Sequence, residues 1–299
     1  MQVFRLHIRP KGGFADHFFS FDYCLRENVL GLGWPLDSPP ESAVTWEQYE
    51  KLATEKYGSK DLTRVRFLHR EVRPNDLIWT RDKNSKYYLA QVQSPWQYFD
   101  TEDGRNADIT NVVKCKIQPV PLADDVPGKV VAHFRSPMSI QRISNSTATS
   151  YSQWLWNQLA NSEDYSLRSE DIGNLFACLD SETTEDVIFI YLQMHDWLIL
   201  PNSRKADTMS YEFIAINHKN HERAIVQVKT GETPLNSENY ANVNERVFLF
   251  QANGIYQGIS PSNVECLQPE SIEDFIRANI QVMPGAVQKW VKYLDNKGA

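Results

Sequence analysis

The sequence predicts an α+β protein in two parts, a small β-barrel over residues 1–140 and an α/β domain over residues 167–299 with a central mixed sheet. The first part contains many short strand-like segments separated by turns with Gly and Pro, and one or two helices. The second part runs from helices through a mainly antiparallel series of strands and back to helices. A polar stretch at 144–150 lies between them, so we expect a linker and a short helix over residues 141–166.

The composition is typical of a globular protein inside the cell. Of the 299 residues, 41% are hydrophobic and 23% are charged. The formal net charge of -7 argues against a non-specific basic DNA coat, but it does not exclude a nuclease, because metal-binding carboxylates also lower the net charge. The four cysteines are scattered without metal-ligand spacing, and neither a signal-peptide core nor a membrane-spanning apolar run is present. We therefore expect reduced cysteines, a cytoplasmic location and no membrane partner.

Hydrophobic periodicity places the elements of the first part. Helical spacing behind a candidate N-cap at Thr45 predicts a helix over 45–57. Segments 76–80 and 87–92 flank a polar turn and give a clear hairpin signal. Further extended segments are expected at 2–8, 18–23, 29–34, 112–120 and 126–134.

Three segments of the first part resemble the PUA-like barrel group, which includes the EVE and YTH domains. They are Gly31-Leu32-Gly33-Trp34, Asp76-Leu77-Ile78-Trp79 and Tyr87–Val92. Relatives of that fold bind modified bases in aromatic cages, so the resemblance implies a cage for a base or a cation. The residues nominated for the cage are Trp34, Trp79, Trp96 and Tyr98. The alternative is that these rings fill the core.

The second part alternates between apolar helices and strands. A capped amphipathic helix is predicted after Ser169, and a nearly apolar helix opens at 183–186 and should pack against a sheet. Strands are expected at 197–201, 211–217, 223–229, 246–252, 254–258 and 263–268, followed by helices at 269–276 and 284–294.

Polar residues that suit phosphodiester chemistry collect around one of these strands. Gln227 and Lys229 are two residues apart on strand 223–229, so both side chains lie on one face and the intervening valine faces away. Glu212 opens the preceding strand, one hairpin away, and Glu185 lies in the first turn of the packed helix, so both can approach the same end of the sheet. Carboxylates can hold a metal ion, and a lysine can position water or stabilise developing charge. The set therefore predicts a metal-dependent phosphodiesterase centre.

The order of these residues resembles the PD-(D/E)xK nuclease superfamily, in the Mrr-like restriction endonuclease branch where Gln replaces the usual acid. The best match is Ile225-Val226-Gln227-Val228-Lys229-Thr230-Gly231, and the resemblance covers about residues 170–280. It implies a restriction-endonuclease-like fold and DNA cleavage that depends on Mg²⁺ or Mn²⁺. Glu212 would be the principal metal ligand, Gln227 the second ligand, Lys229 the catalytic amine and Glu185 an accessory residue.

The match departs from the family at the first acid. Glu212 stands where the family has Asp, unless Asp207 in the preceding polar loop is the equivalent, and the characteristic glycines before that acid are absent. Both residues therefore stay candidate metal ligands. A homodimer would fit this branch, since many nucleases of this kind dimerise to cut two strands.

Three functions stay open at the level of the sequence. The first is an endonuclease of restriction or defence type, whose N-terminal part recognises plain or modified DNA. The second is an inactive module that uses the nuclease fold to bind nucleic acid or a protein. The third is a reader of a modified RNA base or a methylated peptide in the first part.

Overall fold

The structure is a computed structural model that describes residues 1–10, 15–39, 43–166, 175–200 and 211–297. The chain divides into two compact units, Met1–Arg168 and Ser169–Ala299, which we describe separately. Helices and strands occur together in both, so the general α+β class is confirmed. Within the described ranges, no helix is long and apolar enough to cross a membrane.

The first unit is built on a curled mixed sheet that forms a half-barrel. Its strands are β1 (Val3–Leu6), β2 (Val29–Leu32), β3 (Leu77–Arg81), β4 (Tyr87–Val92), β5 (Gln97–Tyr98), β6 (Asn111–Pro119) and β7 (Ile140–Arg142). Their order is β2-β6-β4-β3-β1-β7, with β5 also paired to β6. Strands β1 and β3 run parallel, and the other pairs of this sheet are antiparallel. The predicted small barrel is thus a half-barrel in the described part of the chain, where its edge strands β2 and β7 each pair on one side only.

The predicted hairpin is present in this sheet. Strands β3 and β4 pair in register up to Arg81 opposite Tyr87. The carboxylate of Asp82 accepts a hydrogen bond from the backbone N–H of Lys86 at 2.8 Å, and Ser85 takes a left-handed φ of 61°. Local turn chemistry therefore closes the hairpin where the sequence predicts it.

Helices cover the sheet and include two segments for which extended structure was predicted. The helices are α1 (His17–Glu27), α2 (Trp46–Tyr57), α3 (Thr63–Glu71), α4 (Glu102–Asn106), α5 (Gly128–His133) and α6 (Ser146–Ala160). Residues 18–23 lie in α1, which buries Ser20, Phe21 and Cys24 at helical spacing. Residues 128–133 form α5, which begins directly after Pro127. Aromatic and β-branched residues favour strands locally, but packing of one face against the sheet decides both cases.

The capping box of α2 confirms the predicted helix start. The Thr45 side chain accepts a hydrogen bond from the Gln48 N–H, and the Gln48 side chain accepts one from the Thr45 N–H. The buried face of the helix carries Tyr49 and Ala53. Sequence spacing therefore located both the start and the packed face of α2.

Residues 141–166, predicted as a linker and a short helix, pack within the first unit. Strand β7 pairs with β1, and Asn145 caps the start of α6, since its side chain accepts a hydrogen bond from the Ala148 N–H at 2.7 Å. The Ser152 hydroxyl accepts a hydrogen bond from the indole N–H of Trp79 at 2.9 Å. The polar residues of this stretch thus act as a helix cap and as small contact residues, which a composition argument cannot distinguish from a linker.

The second unit contains a five-stranded mixed sheet and a small two-stranded one. The larger sheet consists of β8 (Trp197–Leu200), β9 (Phe213–Asn217), β10 (Arg223–Lys229), β12 (Arg246–Gln251) and β14 (Val264–Leu267), in the order β14-β12-β10-β9-β8. The smaller sheet pairs β11 (Leu235–Asn236) with β13 (Tyr256–Gln257). Helices α7 (Ser181–Met194), α8 (Pro269–Ala278) and α9 (Gly285–Lys297) complete the described part. Most of the helix predicted after Ser169 lies outside the described residues.

The two faces of the larger sheet pack differently. On one face, the ring of Phe213 meets Phe189 of α7 with centroids 4.0 Å apart, and Phe250 meets Phe176 at 4.8 Å. On the other face, Ile225, Val247 and Leu249 form a cluster with the residues Leu235 and Tyr240. Because side chains alternate along a strand, Gln227 and Lys229 belong to the face of Ile225.

Candidate functional site

The pairing of β9 with β10 brings Glu212 beside Gln227. The antiparallel register ends at Phe213 opposite Val226, and the Glu212 N–H donates to the Val226 carbonyl at 2.8 Å. The next residues along each strand, Glu212 and Gln227, therefore oppose each other on the same face. This is the arrangement that strand periodicity and the single hairpin predict.

Glu212, Gln227 and Lys229 form a connected polar group, which we call the Glu212 site. The Gln227 side-chain N–H (Nε2) donates to Glu212 Oε1 at 2.6 Å and to the Val228 carbonyl at 3.2 Å. The Lys229 Nζ lies 3.7 Å from the same Glu212 oxygen. Gln227 is 4% exposed, whereas the side chains of Glu212 and Lys229 are 22% and 45% exposed. A buried amide thus fixes the carboxylate at the surface, next to an amine that can reach a ligand.

Tyr240 and Gln251 surround the site. Burial raises the pKa of Tyr240, and the negative charge of Glu212 raises it further, so the phenol stays neutral beside the carboxylate. Gln251, on the neighbouring strand β12, pairs in register with Lys229 and is fully buried. Its side-chain N–H donates to the Gly231 carbonyl at 2.7 Å, and its Oε1 accepts from the Asn253 N–H at 2.6 Å. Gln251 therefore holds the backbone that follows Lys229.

Sequence reasoning missed Gln251. The signal that could have identified it is a polar residue at the end of the otherwise apolar run Val247–Phe250, directly before a turn. In the fold this residue is buried and its side chain satisfies backbone groups of the turns at Gly231 and Asn253.

Of the other two predicted acids, Glu185 lies in a described range and Asp207 does not. Glu185 lies half-buried in α7, which covers the Phe213 face, opposite to the face of Gln227. Helix α7 leads directly into β8, so its first turns lie toward the end of the sheet where β8 finishes and where Glu212 lies. Glu185 can therefore approach the site only around that end, and its accessory role stays a prediction. Asp207 lies outside the described residues, so the choice between Asp207 and Glu212 stays open.

The donor set of the Glu212 site fits a hard divalent cation. Mg²⁺ takes oxygen ligands, commonly one or two carboxylates with carbonyls and several waters. The Glu212 carboxylate, the Gln227 side-chain oxygen and the Val228 carbonyl are the oxygens that the site offers. Gln227 would have to turn its amide, because the N–H now faces Glu212. Within the described ranges, no group of three or more His, Cys, Asp or Glu side chains could hold a metal ion, so water would supply much of the coordination.

The aromatic residues nominated in the first unit do not form one cage. Trp79 is fully buried and bonded to Ser152, so it belongs to the core. Trp96 and Tyr98 join a cluster around Tyr49, with ring centroids 5.4 and 5.3 Å from it. The indole N–H of Trp96 donates to Asn111 Oδ1 at 3.1 Å, so this ring is fixed by the core as well.

Trp34 and Trp96 line separate cavities. A cavity of about 740 Å³, which we call the Trp34 cavity, also borders Gly33 and Tyr57. A smaller cavity of about 400 Å³ is lined by Trp46, His69 and Trp96. In the smaller cavity Trp46 and His69 stack face to face, with ring centroids 3.9 Å apart. Sequence reasoning missed both Trp46 and His69, because their helices α2 and α3 approach each other only in the folded unit.

The backbone at Trp34 is strained. Its φ of 66° lies in the left-handed region, which costs a bulky residue on the order of 1 kcal/mol or more. The Tyr49 hydroxyl donates to the Trp34 carbonyl at 3.1 Å and holds this conformation. At the preceding residue, a Cβ on Gly33 would lie 2.1 Å from Asp108 Oδ1, so a larger residue there would have to displace the Asp108 carboxylate. Such strain often marks a binding site, and here it presents Trp34 to the cavity.

No family model, no curated protein and no solved structure matches this chain. The interpretation of its sites therefore depends on the residues and their geometry.

Proposed function

We propose that this protein is a metal-dependent DNA endonuclease of restriction or defence type, with its phosphodiesterase centre at the Glu212 site. The observation that supports it best is the convergence of a carboxylate, an amide and an amine at one sheet end. Gln227 lies 2.6 Å and Lys229 3.7 Å from one oxygen of Glu212. The carboxylate, the amide and the amine are thus close enough to act on a single phosphate group.

Each residue of the Glu212 site has a role in this proposal. Glu212 and Gln227 would hold Mg²⁺ or Mn²⁺, which supplies an activated water and neutralises developing negative charge. The Lys229 side chain is 45% exposed, so its ammonium can donate a hydrogen bond to a non-bridging oxygen of the scissile phosphate. The apolar cluster of Ile225 and Leu249 lies on the same face of the sheet, next to the site.

The proposal is tested by cleavage of plain and modified plasmid DNA in Mg²⁺ or Mn²⁺. Lys229→Ala should lose about two orders of magnitude or more in rate, the scale of one transition-state charge partner. Lys219→Ala is the matched control, because Lys219 is an exposed lysine of the same unit that pairs with Asp196. If Lys229→Ala and the wild type cut at the same rate, this site is not the nuclease centre.

A second function is favoured by the cavities of the first unit. Trp34, presented at a strained backbone, suits stacking on a base, and it supports a reader of modified bases that need not cut. Binding of modified and plain oligonucleotides in EDTA distinguishes this role. A reader would lose its preference for the modified strand in Trp34→Ala, while Lys229→Ala would keep it.

A further inference from the structure

Cations outnumber acids on the wall of the Trp34 cavity. The basic residues are Arg9, Lys60, Arg64 and Arg105, and the acidic ones are Asp61 and Asp108. Arg105 is paired with Asp100 at 2.5 Å. No carboxylate of the described part of the chain pairs with Arg9, Lys60 or Arg64. In a chain with a net charge of -7, three cations around one cavity that have no carboxylate partner among the described residues are a strong local departure.

A buried arginine lies directly behind this wall. Arg5 is fully buried, and its guanidinium donates to neutral oxygens, the carbonyls of Met138 and Ser139 and the side chain of Gln141. Burial, together with the nearby positive charge of Arg9, lowers the pKa of Arg5 to about 10. A buried cation without a carboxylate partner lowers the stability of the fold. The fold nevertheless holds this positive charge beside the cavity.

The guanidinium groups of Arg5 and Arg9 donate hydrogen bonds to the backbone carbonyls on the cavity wall. Residues 137–139 line the cavity, and each offers a backbone carbonyl. Arg9 Nη1 donates to the Pro137 carbonyl at 3.0 Å, and Arg5 donates to the carbonyls of Met138 and Ser139. These carbonyls therefore do not oppose an anion in the cavity.

The start of helix α3 adds to this potential. Thr63 and Arg64, its first two residues, both line the cavity. The preceding residue Leu62 provides no side-chain cap, and the first turn contains no acidic residue. The positive end of the helix dipole is therefore not compensated by a side chain of its own turn.

We propose that the Trp34 cavity binds a phosphate group of a nucleic-acid strand through Arg9, Lys60 and Arg64. This inference deepens the proposed function and rests on it for the identity of the ligand as nucleic acid. Arginine and lysine donors from three chain positions suit a phosphate, which offers several acceptor oxygens at once. Arg5 acts as a positioning residue that fixes the wall at 137–139 and does not touch the ligand.

The test measures binding of a fluorescein-labelled, single-stranded DNA oligonucleotide to the full-length chain in EDTA, over a series of salt concentrations. Arg64→Gln and Lys60→Gln should each weaken binding by roughly ten-fold, the scale of one charge-assisted hydrogen bond. Each should also reduce the slope of log Kd against log salt by about 0.7, the value for one phosphate contact on a single strand. Lys51→Gln is the control, because Lys51 is exposed on α2 and does not line the cavity.

Two outcomes would overturn the inference. One is an unchanged affinity and salt slope in both Arg64→Gln and Lys60→Gln. The other is that these variants lose binding of inorganic phosphate or a nucleoside monophosphate but keep their affinity for the oligonucleotide. That result would assign the cavity to a small phosphate ligand. Because the assay contains no metal, its result is separate from cleavage: a chain that binds through these cations but never cuts supports this site and refutes the nuclease.

Discussion

The substitution Gln227→Glu probes the Glu212 site most sharply. It keeps the shape of the side chain but replaces the amide N–H, which now donates to Glu212 Oε1 at 2.6 Å, with a second carboxylate. The new group would be almost fully buried, since Gln227 is 4% exposed. Without a metal, two carboxylates would face each other, and the half-exposed Lys229 amine, 3.7 Å from Glu212 Oε1, would offset their repulsion only in part.

The expected loss of stability follows from this geometry. Two like charges that relax to about 4 Å repel by roughly 4 kcal/mol at the effective dielectric of a protein surface. The lost hydrogen bond to a charged acceptor adds about 1.5 kcal/mol, while solvent at Glu212 and partial protonation reduce the total. We expect a net loss of roughly 3 kcal/mol in the free energy of unfolding at pH 7. A divalent cation between the carboxylates should restore most of it.

The assay is thermal unfolding of the wild type and Gln227→Glu in EDTA and in Mg²⁺ or Mn²⁺. In EDTA the variant should unfold several degrees lower, because 1 kcal/mol shifts Tm by about 2–4 °C in a protein of this size class. The pKa of the paired carboxyls would be raised in the folded state, so the deficit should be full at pH 7 and shrink as the pH falls toward 4. Gln257→Glu, the same change at an exposed position of β13, is the control. An equal Tm for variant and wild type in EDTA, or no recovery with metal, would refute the reasoning.

Three further predictions concern the first unit. Ser152→Ala should cost about 1–3 kcal/mol in urea unfolding, because the buried indole N–H of Trp79 loses its acceptor; an unchanged midpoint would show that the indole finds another partner. Thr45→Ala should cost about 1 kcal/mol through the loss of the α2 cap, and Thr45→Ser should restore it. Burial and neighbouring arginines lower the pKa of His7 to about 4, so its neutral form favours folding above pH 6.5 and this stability is lost as the pH falls toward 4. Between pH 7 and pH 4 the free energy of unfolding should therefore decrease in both proteins, but by about 2 kcal/mol less in His7→Phe than in the wild type. An equal decrease in the two proteins would contradict this.

Local patterns were enough to predict that Glu212, Gln227 and Lys229 lie close together. Alternation along β10 placed Gln227 and Lys229 on one face, and a single short hairpin brought Glu212 to them. These inferences need only strand periodicity and chain connectivity, which are local properties of the sequence. The position of Glu185 depends on how α7 packs, so periodicity alone could not decide its distance from the site.

The aromatic residues of the first unit show what local patterns cannot predict. Trp79 is covered because α6, more than 60 residues later in the chain, places Ser152 against it. Trp46 and His69 meet because two helices pack together. Which face of a strand is covered, and by what, is set by long-range contacts that no short window contains. The same limit explains the polar stretch before α6, which is a helix cap in the fold and a linker by composition.

The central claim is that Glu212, Gln227 and Lys229 form a metal-dependent centre, and calorimetric titration with Mn²⁺ tests it most directly. The account predicts that the wild type takes up the metal, that Glu212→Gln loses this uptake, and that Glu222→Gln, an exposed control on the adjoining hairpin, retains it. Equal uptake by the wild type and Glu212→Gln, or no uptake by the wild type, would contradict the account.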